Sequence, residues 1–223
     1  FCSAMIAVVD YCKGNLKSVE RGLRGVGGDA AITDDPAVIA QADAIVLPGV
    51  GAFKDASDTM QATGQMAAIR DALSRDVPFL GICLGEHLLF SEGAEGSDAG
   101  TNPSGLGIIS GVVDRLPETD VQGKRYKIPH VGWNSIEFDS TNIEDTCPLL
   151  AGIKPGEYFY FTHSFCAPEN EYTVATTTHS ITFPSVVRVG TWIYGVQFHP
   201  EKSSDAGACV LKNFLNIVRS ARG

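Results

Sequence analysis

The sequence predicts an α/β fold in which a mostly parallel sheet is covered by helices on both faces and extended by antiparallel hairpins. Three features predict it. Short apolar runs alternate with helical stretches through the first half, the rhythm of βαβ units. From Gly107 to Val196 β-rich segments dominate, among them YFYFTHSF, YTVATTT, SVVRVG and WIYGVQF. The chain then closes on a helical stretch with one apolar stripe.

Each element has its own signal. Met5 to Asp10 is a short apolar run and reads as a strand. Leu16 to Val26 reads as a helix that stops at Gly27-Gly28. Ala44 to Leu47 is a second buried strand, ended by Pro48-Gly49-Val50-Gly51. Helical stretches fall within Phe53 to Met60 and Met66 to Arg75. The run Val77-Pro78-Phe79-Leu80 opens a strand that reaches Cys83, and helix formers follow from Glu86 to Phe90. Gly93 to Gly105, rich in Gly, Ser and Asp, is a loop too short to separate domains. Trp192 to Phe198 is a further strand, and Ala206 to Ser220 a helix. That helix sets Val210, Leu211, Phe214, Leu215, Ile217 and Val218 on one stripe. A single domain over 5–223 is expected, with Phe1 to Ala4, ahead of Met5, reading as an expression remnant.

Composition narrows the function. The chain has 223 residues, 44% of them hydrophobic, enough for a full core. It has no apolar run of the roughly 18 residues that a membrane-spanning helix needs, and no secretory leader pattern. Lys and Arg number 17 against 26 Asp and Glu, a net charge of −9, so the basic footprint of a nucleic-acid binder is missing. The six cysteines are scattered without a C-x-x-C pair. They are expected to be free thiols in a reducing cytosol, not a disulfide framework or a zinc site.

One cysteine is singled out by its surroundings. In GICLGEHLLF, Cys83 stands where a strand turns into a helix, with a glycine two places to either side. A nucleophile elbow is built this way. The glycines permit the sharp turn, and the helix start favours thiolate over thiol. A buried structural cysteine satisfies the same short pattern. A catalytic cysteine needs a base and a group that orients the base. GVQFHPEKS offers His199 and Glu201, two apart just after a strand, so that in extended chain they share a side. The competing reading is a surface His-Pro-Glu turn. An oxyanion would be met by the N–H of Leu84 and by an N–H from Gly49-Val50-Gly51, at the carboxyl end of a neighbouring strand. An ordinary strand-ending turn also fits those glycines.

The segments PGVGAF, GICLG and GVQFHPEKS, in that order, resemble the class I, triad-type glutamine amidotransferases. IAVVDYCKGNLKSV, KIPHVGWN and YFYFTHSF narrow the likeness to the glutaminase subunits of imidazole glycerol phosphate synthase, from about Met5 to the C-terminus. The resemblance implies a flavodoxin-like fold and hydrolysis of L-glutamine to glutamate and ammonia. The ammonia would pass to a (β/α)₈-barrel cyclase partner in a heterodimer, with no metal or organic cofactor. It implies Cys83 as nucleophile, His199 as base and acid, and Glu201 as its orienter. Val50, Gly51 and Leu84 would form the oxyanion region. Gly49, His87, His163, Ser164 and Phe165 would surround the substrate. Asn15, Trp133, Asn134 and Lys202 would face the cyclase.

Departures from the family pattern stand at the elbow and in the first loop. Position 87 is His where the family has Gln, Glu86 replaces a hydrophobic residue, and Cys12 replaces a glycine. Neutral His87 can donate and accept as Gln does, with an added pH dependence expected between roughly pH 6 and 8. The alternatives are a glutaminase subunit serving another biosynthetic pathway, a non-catalytic homologue that regulates a barrel partner, and a stand-alone cysteine peptidase. KIPHVGWN argues against the first, and the Cys83, His199 and Glu201 set against the second.

Overall fold

The computed structural model describes residues 4–12, 14–98 and 100–223. The leading Phe1-Cys2-Ser3 thus lies outside the described residues. The elements, in chain order, are β1 (Met5–Val9), α1 (Leu16–Gly25), β2 (Asp29–Thr33), α2 (Pro36–Gln41), β3 (Ala44–Leu47), α3 (Phe53–Ala62) and α4 (Gln65–Ser74). There follow β4 (Phe79–Ile82), α5 (Leu84–His87), β5 (Phe90–Gly93), β6 (Ile109–Arg115), β7 (His130–Ser135) and α6 (Ile143–Thr146). The chain ends with β8 (Tyr158–His163), β9 (Phe165–Cys166), β10 (Thr173–Thr178), β11 (Thr182–Val189), β12 (Ile193–Val196) and α7 (Ser204–Ser220).

The main sheet has seven strands in the order β10-β11-β12-β4-β3-β1-β2. From β12 to β2 all neighbours are parallel, while β10, β11 and β12 are joined antiparallel. The parallel part repeats the flavodoxin-like strand order, whose ligand site lies beyond the carboxyl ends of the strands. Parallel strands must be covered on both faces, and the buried side chains alternate accordingly. Ile6, Val8, Ala44, Val46, Leu80 and Ile82 face a core shared with α1 and α7. Ala7, Val9, Ile45, Leu47 and Phe79 face a core shared with α2, α3 and α4. A hairpin of β7 with β8 and a small sheet of β5, β6 and β9 are added to this frame.

The α/β class with antiparallel additions is as the sequence predicts, with three corrections. First, β2 and α2 occupy a stretch with no predicted element. Both are short: β2 is a sheet-edge strand, and α2 is six residues starting with Pro36 at its first turn, capped by the Asp35 carboxylate on the Ala37 N–H at 2.8 Å. Second, the helix expected from Glu86 to Phe90 stops at His87 and gives way to β5. The carbonyls of Leu88 and Leu89, which a continuing helix would use, accept instead from the N–H groups of Leu106, at 2.6 Å, and of Ile108 and Ile109, at 2.9 and 3.0 Å. Third, the strand expected over Trp192 to Phe198 is confined to Ile193–Val196.

Candidate active site

The loops that leave β3, β4 and β12 converge at the carboxyl end of the parallel sheet. Cys83 follows β4 directly and takes φ 54° and ψ −105°, a strained conformation for a residue with a side chain. Its N–H donates to the Val196 carbonyl at 2.8 Å, which ties the elbow to β12. The flanking glycines are required by space. A Cβ at Gly81 would collide with the Gly85 backbone, and one at Gly85 with the Leu47 carbonyl of β3. The pattern G-x-C-x-G is therefore read out by backbone packing beneath the cysteine. The Cys83 sulfur is buried, 3.9 Å from the Thr162 carbonyl and 3.6 Å from the side-chain nitrogen of Gln197.

His199 and Glu201 are paired. The Nδ1 of His199 lies 2.8 Å from Oε1 of Glu201, and both side chains are almost fully buried. Extended chain is not what brings them together, as the i, i+2 reasoning had it. His199 is extended, but Pro200–Lys202 closes a 3₁₀ turn that folds Glu201 back. Ser203 braces the turn, its hydroxyl donating to the His199 carbonyl at 2.6 Å. Burial alone would lower the basicity of His199. The negative sulfur of Cys83, together with Glu201, outweighs it and raises the imidazole from 6.5 to about 10. Nε2 of His199 has no well-formed hydrogen bond among the described residues, although Cys83 is the strongest of the groups that raise its pKa against the effect of burial.

Beyond β3, Gly49-Val50-Gly51 runs beside the elbow. A Cβ on Gly49 would collide with the Tyr11 hydroxyl, which donates to the Pro48 carbonyl at 2.8 Å, and Gly51 has φ +108°. Tyr11 thus fixes the entry to this segment, and the glycines allow the close approach.

A cavity of about 350 Å³ opens over the cysteine, lined by Val50, Gly51, Cys83, Leu84, His87, His163, Ser164 and Phe165 among the residues named from sequence. Gly49 stands behind it, against Tyr11. The lining also holds Ala52, Glu95, Pro129 and Thr162, which the sequence reading missed. Glu95 is the one carboxylate in that lining. Its Oε2 accepts the Phe53 N–H at 3.0 Å, at the start of α3. His163 donates from Nδ1 to the Phe165 carbonyl at 2.8 Å, so its Nε2 accepts from Nδ1 of His130 at 2.9 Å. His130 Nε2 in turn accepts from Asn134 at 3.2 Å.

The pH dependence expected of His87 is corrected. Burial lowers its pKa to about 4, against a partial rise from its bond to Gln197. It is neutral throughout pH 6 to 8 and cannot titrate there. Asn15, Trp133, Asn134 and Lys202 lie outside the cavity lining. Trp133 is 52% exposed on the β7–β8 hairpin. It packs edge-on against Tyr160, and the Lys202 ammonium sits 5.9 Å from the centre of that ring.

Comparison with known proteins places the chain in a family. The family model Glutamine amidotransferase class-I matches residues 7–218. The chain is 44% identical over 218 residues to the imidazole glycerol phosphate synthase subunit HisH of Moorella thermoacetica, covering 97% of this chain and 96% of that one. It is also 44% identical over 216 residues to the same subunit of Syntrophotalea carbinolica, covering 94% and 98%. Among solved structures, a glutamine amidotransferase superposes with a TM-score of 0.69 at 16% identity over 96% of this chain and 98% of that one. The glutaminase domain of Trypanosoma brucei CTPS does so with 0.66 at 15% over 98% and 94%. At those identities the likeness is one of fold.

Proposed function

We propose, from the premise that this chain belongs to the class-I glutamine amidotransferase family and groups with the HisH subunits of imidazole glycerol phosphate synthase, that it hydrolyses glutamine through Cys83 for imidazole glycerol phosphate formation in histidine biosynthesis. The observation that carries this reading is a strained, buried cysteine lining the cavity, with a buried His199–Glu201 pair whose imidazole is raised by that cysteine.

The Cys83 sulfur attacks the side-chain amide carbon of glutamine. The Leu84 N–H and an N–H of Gly49-Val50-Gly51 hold the resulting oxyanion. Protonated His199 gives its proton to the departing nitrogen, and ammonia leaves a thioester on Cys83. Water then attacks the thioester carbon while His199 takes its proton, and the C–S pair returns to sulfur. Glu201 keeps the imidazole oriented and stabilises its cation. The Glu95 carboxylate suits the α-ammonium of the substrate, the backbone of His163-Ser164-Phe165 suits its amino-acid end, and His87 walls the pocket.

The ammonia is handed to a (β/α)₈-barrel cyclase in a cytoplasmic heterodimer, and residues 5–223 form the one amidotransferase domain. Support comes from Val131, Trp133 and Tyr158, exposed at 56%, 52% and 57% on one hairpin, since large exposed apolar side chains grouped together mark docking surfaces. Asn15, Asn134 and Lys202 are its proposed polar contacts. No helix among the described residues is long and apolar enough to cross a membrane. The test is glutamate release by this chain with and without a barrel cyclase carrying its phosphorylated ligand. Activity is low alone and rises in the loaded complex, because the ligand favours one orientation of the Gly49-Val50-Gly51 peptides. Equal activity in both states removes the partner from the reading, and undiminished activity of Cys83→Ala removes the chemistry.

A further inference from the structure

Gln197 sits between two groups of the site and is fully buried. Its side-chain nitrogen is 3.6 Å from the Cys83 sulfur, and its side-chain oxygen is 2.7 Å from Nε2 of His87. All three positions are imposed by the backbone. Gln197 follows β12, whose Val196 pairs with Ile82 of β4, so the residues after the two strands lie side by side. The Gln197 N–H donates to the Ser185 carbonyl at 3.0 Å, and the His87 N–H to the Cys83 carbonyl at 3.1 Å.

A glutamine amide donates on one side and accepts on the other. A thiolate only accepts, so the NH₂ group must face the sulfur and the oxygen must face His87. His87 then carries its proton on Nε2. We propose that Gln197 is a catalytic residue that donates a hydrogen bond to the Cys83 sulfur, and that His87 is the positioning residue that fixes which way its amide faces. The bond serves twice: it stabilises the attacking thiolate, and it receives the sulfur again when water breaks the thioester C–S bond. This explains how His is accommodated at position 87. A fixed N–H donor toward Gln197 is what the place demands, and neutral histidine supplies one.

The inference rests on the glutaminase reading and deepens it. The other titratable groups that feel the sulfur are His199, beyond β12, Glu86 on α5, and Tyr11, beyond β1. None of them is altered by the test. In the complex with a barrel cyclase, Gln197→Met, His87→Leu and His87→Gln are compared with the wild type by two readouts. One is the pH dependence of Cys83 alkylation by iodoacetamide, which needs no glutamine. The other is kcat and KM for glutamine.

Gln197→Met shifts the onset of alkylation to higher pH and lowers kcat by about tenfold to a hundredfold, the scale of a hydrogen bond to a charged group. KM changes less than kcat. His87→Leu shifts both readouts the same way, and His87→Gln, which still offers an N–H, recovers most of the loss. Where Gln197→Met fails to fold, the two His87 variants decide alone. An unchanged alkylation profile in His87→Leu, or one that His87→Gln does not restore, overturns the proposal. So does a His87→Leu defect confined to KM, which would make His87 a substrate contact. A wild type that alkylates as described yet releases no glutamate overturns the glutaminase reading and leaves the hydrogen bond to sulfur standing.

Discussion

Replacing Glu86 by Met will stabilise the protein, and the gain will grow with pH. Glu86 is fully buried on α5, and neither carboxyl oxygen has a hydrogen-bond partner. Burial drives its pKa well above 4.5, and the Cys83 charge pushes the same way, so the folded protein holds it as a neutral acid. Two costs follow. A buried, unsatisfied polar group costs about 1–3 kcal/mol at any pH. In addition, the unfolded chain releases the proton near the ordinary carboxylate value while the folded chain keeps it. A group raised on folding contributes most below its unfolded pKa and loses that contribution as pH rises toward its folded pKa, at about 1.4 kcal/mol per pH unit. Met removes both costs with a side chain of similar length. The expected gain is about 1–3 kcal/mol at pH 4.5, rising by about 1.4 for each further unit until Glu86 ionises in the folded state. For a chain of this size each kcal/mol moves Tm by about 2–4 °C. Thermal and urea unfolding of both proteins at half-unit steps from pH 4.5 to 8 measures it. A variant no more stable than wild type at pH 7.5, or a gain that stays flat or shrinks with pH, would refute the reasoning.

A glutamine-analogue electrophile will label Cys83 ahead of every other cysteine. Burial pushes the Cys147 and Cys166 thiols up to about 11 and about 12, and Cys12 is exposed, outside the lining of the cavity over Cys83. Peptide mapping with equal labelling at Cys12 would sink the assignment. His199→Ala will cost roughly a hundredfold or more in turnover, the scale of a lost acid–base group. In the wild type, kcat will hold through neutral pH and fall as pH climbs toward about 10, where His199 loses the proton it gives to ammonia. A fall centred near 6.5, the ordinary value of histidine, would show that Cys83 and Glu201 do not raise it. Gly85→Ala will abolish activity and soluble expression together, because its Cβ would collide with the Leu47 carbonyl. An active Gly85→Ala protein would mean that the elbow and β3 are not packed as described.

The proposed nucleophile and its elbow are legible because they are fixed by their immediate neighbours. Cys83 needs glycines two places away on either side, since the turn packs backbone on backbone, and that requirement is written in the local letters. The fold class was legible for the same reason: apolar runs and helical stripes are local periodicities. What stayed hidden depends on distant chain. Glu95 is a lone acid in a loop until the fold carries it to the Phe53 N–H. Gln197 passed as one letter of a motif, because nothing in the sequence says that the strand register sets it beside Cys83. The helix expected through Phe90 failed because residues 106–109 take the carbonyls it would have used, against the local preference of Leu88 and Leu89. Glu201 differs from all of these. The residues were paired correctly on the ground that extended chain puts i and i+2 on one side. The pair is made instead by a 3₁₀ turn at Pro200, closed by the Lys202 N–H on the His199 carbonyl at 3.0 Å. Proline favours that turn because its φ is fixed and it has no N–H to satisfy at a first helical position. Pro200 therefore sets the geometry of the His199–Glu201 pair, and a substitution there would act on His199 through Glu201.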